Sequence, residues 1–85
     1  MTKYEILICP VVTEKTITLA EKNNVITFIV DKRATKQDIK KAIEDFLGVN
    51  VLKVNTLITP KGEKKAYVKI EGKNVTDILT EMGLI

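Results

Sequence analysis

The 85-residue chain has no histidine, no tryptophan, one cysteine, two prolines and four glycines, and only 5% of its residues are aromatic. Each shortage removes a class of function. Without histidine, a Ser-His or Cys-His nucleophile and a His-ligated metal are impossible within the chain. The single thiol, Cys9, can form neither an internal disulfide nor a Cys-rich zinc site, and a disulfide-free basic domain suits a reducing compartment. The glycines are isolated, so there is no Gly-rich phosphate loop. The apolar run near the N-terminus, Ile6-Leu7-Ile8-Cys9, spans four residues. That is too short for a signal-peptide core or a membrane span, and no membrane insertion is expected.

What is present describes a folding chain. It is 45% hydrophobic and 29% charged, a balance that supports a core. The length suits one domain, residues 1–85, with a radius of gyration of about 12 Å. Fourteen Lys+Arg against eleven Asp+Glu leave a net charge of +3. That permits a nucleic-acid partner without requiring one.

The periodicities predict the element string β-α-β-α-β-β-α. Ile6–Cys9 reads as a short buried strand stopped by Pro10, with Cys9 as a small packed hydrophobe. Thr13 has the position of an N-cap, with Val12 and Ile17 spaced as a hydrophobic staple. The helix from Glu14 to Lys22 ends at Asn23-Asn24. Val25–Val30 is almost unbroken β-branched and aromatic, the pattern of a central strand covered on both faces. Thr35 and Asp38 form a capping box for a helix with the apolar stripe Ile39, Ala42, Ile43, Phe46, Leu47, stopped by Gly48. Val51–Thr59 alternates, with Leu52, Val54, Thr56 and Ile58 on one face and Lys53, Asn55, Leu57 and Thr59 on the other. Thr59-Pro60-Lys61-Gly62 has the residues of a type I turn. In the return strand, Lys65–Ile70, the residues Ala66, Val68 and Ile70 oppose Lys65, Tyr67 and Lys69. Asn74 and Asp77 cap a last helix with the stripe Val75, Ile78, Leu79, Met82, ended by Gly83. Together these elements predict an α+β sandwich: a small, mainly antiparallel four-stranded sheet with helices packed on it.

Nothing in the pattern supports catalysis. The carboxylates Glu44 and Asp45 are adjacent, so they diverge on a helix. No cofactor or metal is expected. The cations say more. Lys32, Arg33 and Lys36 cluster where a strand meets a helix N-terminus, which would suit a phosphate or simply a solvated loop. Lys61, Lys64 and Lys65 crowd the hairpin tip, where lysines also keep an edge from aggregating. The hairpin's outer face combines Lys53, Asn55, Leu57, Lys65, Tyr67 and Lys69. Cations, an amide and one ring suit a surface that reads RNA backbone, and a second helix layer over them is the other reading. The strands lack the aromatic density of a base-stacking RNA-recognition sheet.

Four segments carry a resemblance. Pro10-Val11-Val12-Thr13-Glu14-Lys15 resembles the Pro-x-Val-(Ser/Thr)-Glu-Lys motif of the large-subunit ribosomal protein twenty-three family. Arg33-Ala34-Thr35-Lys36 is similar to that family's helix start, and Val54-Asn55-Thr56 to its Val-Asn-Thr strand. Gly62-Glu63-Lys64-Lys65-Ala66 with Val68 is similar to its return strand. The resemblance runs in order from about Ile6 to Ile85. It implies a small α/β domain in the cytoplasmic large ribosomal subunit that binds rRNA. It adds Lys15 and Thr56 to the RNA-binding set. It further implies a place beside the nascent-chain tunnel exit, among neighbouring large-subunit proteins, with a docking surface for the signal recognition particle and the translocon. Glu14 lies where bacterial members meet the exit-site chaperone. Bacterial members carry a long hairpin extension; the tight turn at Thr59–Lys64 resembles the archaeal form. The alternative to this reading is a small α+β regulatory or assembly domain that binds a protein or ligand.

Overall fold

The computed structural model describes residues 3–85, with side chains from Glu5 onward. Met1 and Thr2 of the expected 1–85 domain lie outside the described residues. A single helical turn, α1 (Lys3–Ile6), leads into β1 (Leu7–Pro10). The expected strand is thus displaced by one residue. Ile6 closes the turn and is buried in the core, and Pro10 lies inside the strand. β1 is an edge strand, where a proline is tolerated because its missing N–H can face away from the ladder.

Helix α2 (Glu14–Asn23) starts as its residues predict. The Thr13 backbone N–H donates to Thr16 Oγ1 at 2.7 Å, and the Thr16 N–H donates to Thr13 Oγ1 at 3.2 Å. Thr16, a weak helix former, therefore completes a capping box. Asn24 ends the helix in the left-handed region, φ 56°. β2 (Val25–Val30) follows, then α3 (Lys36–Leu47) with the expected Thr35–Asp38 box and Gly48 as its left-handed stop. β3 (Asn50–Ile58) and β4 (Lys64–Glu71) form a hairpin. Its turn is closed by the Gly62 N–H donating to the Thr59 carbonyl at 2.8 Å. Gly62 itself sits at φ 85°, which admits glycine most easily.

The last helix, α4 (Val75–Glu81), departs from expectation at its start. Asn74 occupies the cap position, but its side chain makes no capping bond. Asn24, 51 residues earlier, does the capping: its Oδ1 accepts from the Val75 N–H at 2.8 Å. Its Nδ2 donates to the carbonyls of Ile70 at 2.9 Å and Lys73 at 2.8 Å. One side chain thus ties the end of α2, the end of β4 and the start of α4 together.

The sheet has the order β1-β2-β4-β3, and every neighbouring pair is antiparallel. Ile26, Phe28 and Val30 of β2 and Ala66, Val68 and Ile70 of β4 share the inner face. Against them pack Ala20, then Ile39, Ala42 and Ile43, then Val75, Ile78 and Leu79 from the helices. The result is the expected α+β fold, in two layers, with a Cα radius of gyration of 11.7 Å. No helix among the described residues is long and apolar enough to cross a membrane.

Five expectations about burial are corrected. Helices cover β2 on one face only; Thr27 and Ile29 face the other way and are buried where the register sets Tyr67 and Lys65 beside them. Cys9 is exposed, because Ile8 is an extra residue between Leu7 and Cys9 and turns Cys9 to the outer face opposite Ile29. Leu52 is 54% exposed for the same reason: it is the extra residue of a bulge between Val51 and Lys53, and Val51 takes the inward place instead. Ile58 and Phe46 are also exposed rather than core. Ile58 stands at the tip end of an edge strand. Phe46 lies over the rim of the core, edge-on to Phe28 with ring centroids 6.5 Å apart.

Candidate nucleic-acid interface

The register of β3 against β4 builds the outer face from the bottom up. Lys53 lies opposite Lys69, Asn55 opposite Tyr67, and Leu57 opposite Lys65. β2 extends the same rows with Val25, Thr27 and Ile29. Residues that alternate inward carry the core, so these rows point away from the helices. The expected parity of the return strand is therefore the observed one. Directly opposed like charges, such as Lys53 and Lys69, destabilise a sheet by a few tenths of a kcal/mol to about 1 kcal/mol. The three rows contain three lysines and no carboxylate. A face of this kind is relieved by an anion laid across it. No helix covers it among the described residues, and Leu57 remains exposed at its β3 edge.

A second basic surface lies at one end of the sheet. The junction 31–33 and the hairpin tip face each other across a shallow groove whose rim includes Lys32, Arg33, Lys61 and Lys64. The two meet closely: a Cβ added to Gly62 would come within 3.2 Å of Lys32 Nζ. Two clusters that are about thirty residues apart in sequence are one surface in space. Within it the cations differ. Arg33 is held by Asp31, with Nε 3.1 Å from Oδ1 and Nη2 3.2 Å from Oδ2. That hydrogen bonding holds the Asp31 carboxyl below its ordinary range and raises the Arg33 guanidinium. Two donors of the Arg33 fork are thereby used, and the others have no partner among the described residues. Lys64 is half-buried on the inner face and donates through Nζ to the Ala34 carbonyl at 2.7 Å, so it clamps tip to junction. Lys32 and Lys61 are exposed.

The other candidate residues are placed separately. Lys36 opens α3 and borders, with Lys53, a groove between α3 and the β3 bulge. Asp38, in the same first turn, is held below its ordinary carboxyl range by the Thr35 backbone N–H that it accepts. Thr56 shares the inward parity of Val54, opposite Ala66, and does not join Asn55 on the outer face. Glu14 and Lys15 are exposed in the first turn of α2 and border neither groove. Thr27 was missed by the sequence reading. It is 2% exposed, on the outer face opposite Tyr67, and its Oγ1 has no hydrogen-bond partner. A lost buried partner costs about 1–3 kcal/mol. A lone hydroxyl in an otherwise apolar strand was the available signal.

A family model described as ribosomal protein L23 matches residues 5–77. The chain belongs to the ribosomal protein L23 family. It is also 55% identical over 76 residues to the large ribosomal subunit protein uL23 of Pyrobaculum aerophilum, covering 88% of this chain and 94% of that relative. The L23 family is one of ribosomal structural proteins rather than enzymes, working within a ribonucleoprotein. The span matched by the L23 model contains every residue of the outer face and of the basic groove.

Proposed function

We propose that this chain is a structural protein of the large ribosomal subunit that binds rRNA along the outer face of its sheet and the adjoining basic groove. The observation that carries the reading is the uncovered face on which Lys53, Lys65 and Lys69 surround Tyr67 without a carboxylate among them. Lys32, Arg33 and Lys61 continue the positive surface around the hairpin tip, and Lys36 borders, with Lys53, a separate groove at the start of α3. In this reading Lys64 acts through the clamp rather than by contact, and Lys15 and Thr56 belong to the interface by the family resemblance alone. A surface that neutralises about four to six phosphates gives a log K against log salt slope of about −3 to −5. Filter binding to large-subunit rRNA fragments over a salt series measures it. A slope near zero overturns the phosphate-contact reading.

The finer placement rests on the resemblance. In it the protein sits by the tunnel exit among neighbouring large-subunit proteins and presents Glu14 to the signal recognition particle or the translocon. Glu14 is exposed at the start of a helix whose dipole favours a carboxylate there. A surface ion pair contributes about 0–1 kcal/mol, so Glu14 would set the register of a docked factor rather than hold it. Glu14→Lys in assembled ribosomes tests this: normal assembly with weaker factor binding at low salt is expected. Unchanged factor affinity leaves Glu14 as a helix-start residue.

A further inference from the structure

Asn55, Tyr67 and Thr27 stand in one row across β3, β4 and β2. The next row outward on one side holds Lys53 and Lys69, and on the other side Lys65. Residues two apart on a strand are separated by about 6.7 Å, so each cationic row lies one short step from the ring. Asn55 is exposed at one end of the row, and Tyr67 is half-buried at its middle. At the other end Thr27 carries a fully buried hydroxyl with no partner. A face that met only phosphates would need the lysines and nothing more. A ring between two cationic rows, flanked by an amide and an unsatisfied hydroxyl, fits something with a flat apolar face, polar edges and a phosphate on either side.

We propose that this row is the seat of a single unpaired nucleotide. The base stacks on the Tyr67 ring. The Asn55 amide, both donor and acceptor, bonds the base edge or the ribose 2′-hydroxyl. The flanking phosphates lie against Lys65 on one side and the Lys53–Lys69 pair on the other. A tilt of the Tyr67 ring admits a polar group of the nucleotide to Thr27 Oγ1, which then gains the partner it lacks. The proposal rests on the outer face being the rRNA interface, and it names the form of RNA taken there: a bulged or single-stranded residue, not a continuous duplex, whose bases are already stacked on one another.

The test uses the whole protein and two probes: a short single-stranded RNA carrying one 2-aminopurine, and the same strand annealed to its complement. Binding of the single strand should change the 2-aminopurine emission. Tyr67→Leu should abolish that change and weaken single-strand binding by about tenfold or more, the size of one base–aromatic stack, while leaving duplex binding unaltered. Tyr67→Phe should keep both signals. Thr27→Val removes the orphan hydroxyl at constant shape. It should melt no lower than the wild type, yet bind the single strand more weakly. Asn55→Ala, at an exposed position, should weaken the single strand likewise. Equal losses on both probes in Tyr67→Leu, or unchanged single-strand binding in Thr27→Val, overturn the seat. Lys65→Glu separates this from the broader reading. If it weakens both probes while Tyr67→Leu does not discriminate between them, the interface stands and the seat falls. If Lys65→Glu binds both probes as the wild type does, the interface itself falls.

Discussion

Asn24 is the residue at which a single substitution should do the most damage outside the core. Its side chain makes three hydrogen bonds, to the Ile70 carbonyl at 2.9 Å, the Lys73 carbonyl at 2.8 Å and the Val75 N–H at 2.8 Å. At about 0.5–1.5 kcal/mol each these total roughly 1.5–4.5 kcal/mol, with the solvent-exposed Lys73 bond at the low end. The backbone adds a second contribution. Asn24 sits at φ 56°, where a residue with a Cβ and no compensating side chain loses about 1 kcal/mol or more. Asn24→Ala should therefore cost about 3–5 kcal/mol. A domain of this length has roughly 4–13 kcal/mol in total. Asn24→Gly loses the same three bonds but relieves the left-handed backbone, so it should cost about 1 kcal/mol less. Urea unfolding followed by far-ultraviolet circular dichroism reads both, and for a domain of this size each kcal/mol moves the melting temperature by about 4–8 °C. Equal losses in the two variants would refute the backbone part of the reasoning. Losses of less than about 1 kcal/mol in both would refute the claim that the side chain holds α2, β4 and α4 together.

Three further outcomes follow from the same geometry. Lys69→Glu on the outer face should weaken rRNA binding and shift stability by no more than about 0.5 kcal/mol, whereas Val68→Asp, on a fully buried neighbour, should unfold the domain through an unpaired buried carboxylate; melting curves and filter binding that treat the two alike would reverse the strand parity. Asn55→Asp replaces a donor with a repelling charge at an exposed position and should lower rRNA affinity while leaving the melting temperature nearly unchanged. The Asp38 carboxyl is held below its ordinary value of 3.8 by the Thr35 N–H. Its contribution is therefore fully present above that value and is lost as pH falls through the lower, folded value. The stability of Asp38→Asn, measured by urea midpoints between about pH 5 and about pH 1, should fall less steeply with acid than that of the wild type. Identical slopes would show that the capping carboxylate is not linked to folding.

Local chemistry was legible wherever the cause was local. The two threonine caps, the Asn24 and Gly48 stops, the turn at Thr59–Gly62 and the parity of Ala66, Val68 and Ile70 all follow from residues within a few positions of one another. The family too is written in short segments, since its motifs lie within one matched span. The misplacements of Cys9 and Leu52 have one cause. Each lies in or beside a bulge on an edge strand, where one extra residue reverses the alternation that sequence periodicity assumes. A bulge is set by how an edge strand fits its neighbour, and no residue of the strand announces it. The capping of α4 was hidden for a related reason: Asn74 stands where a local cap belongs, but the bond comes from Asn24, about fifty residues earlier, once the sheet has brought the two ends together. The candidate interface shows the same division. Alternation alone set Lys65, Tyr67 and Lys69 on one face. Only the fold put Lys32 beside Gly62, turned Lys64 inward to clamp Ala34, and set the partnerless Thr27 hydroxyl next to Tyr67. Alternation is a property of one strand, whereas those three juxtapositions need strands and loops that meet only after the chain has closed on itself.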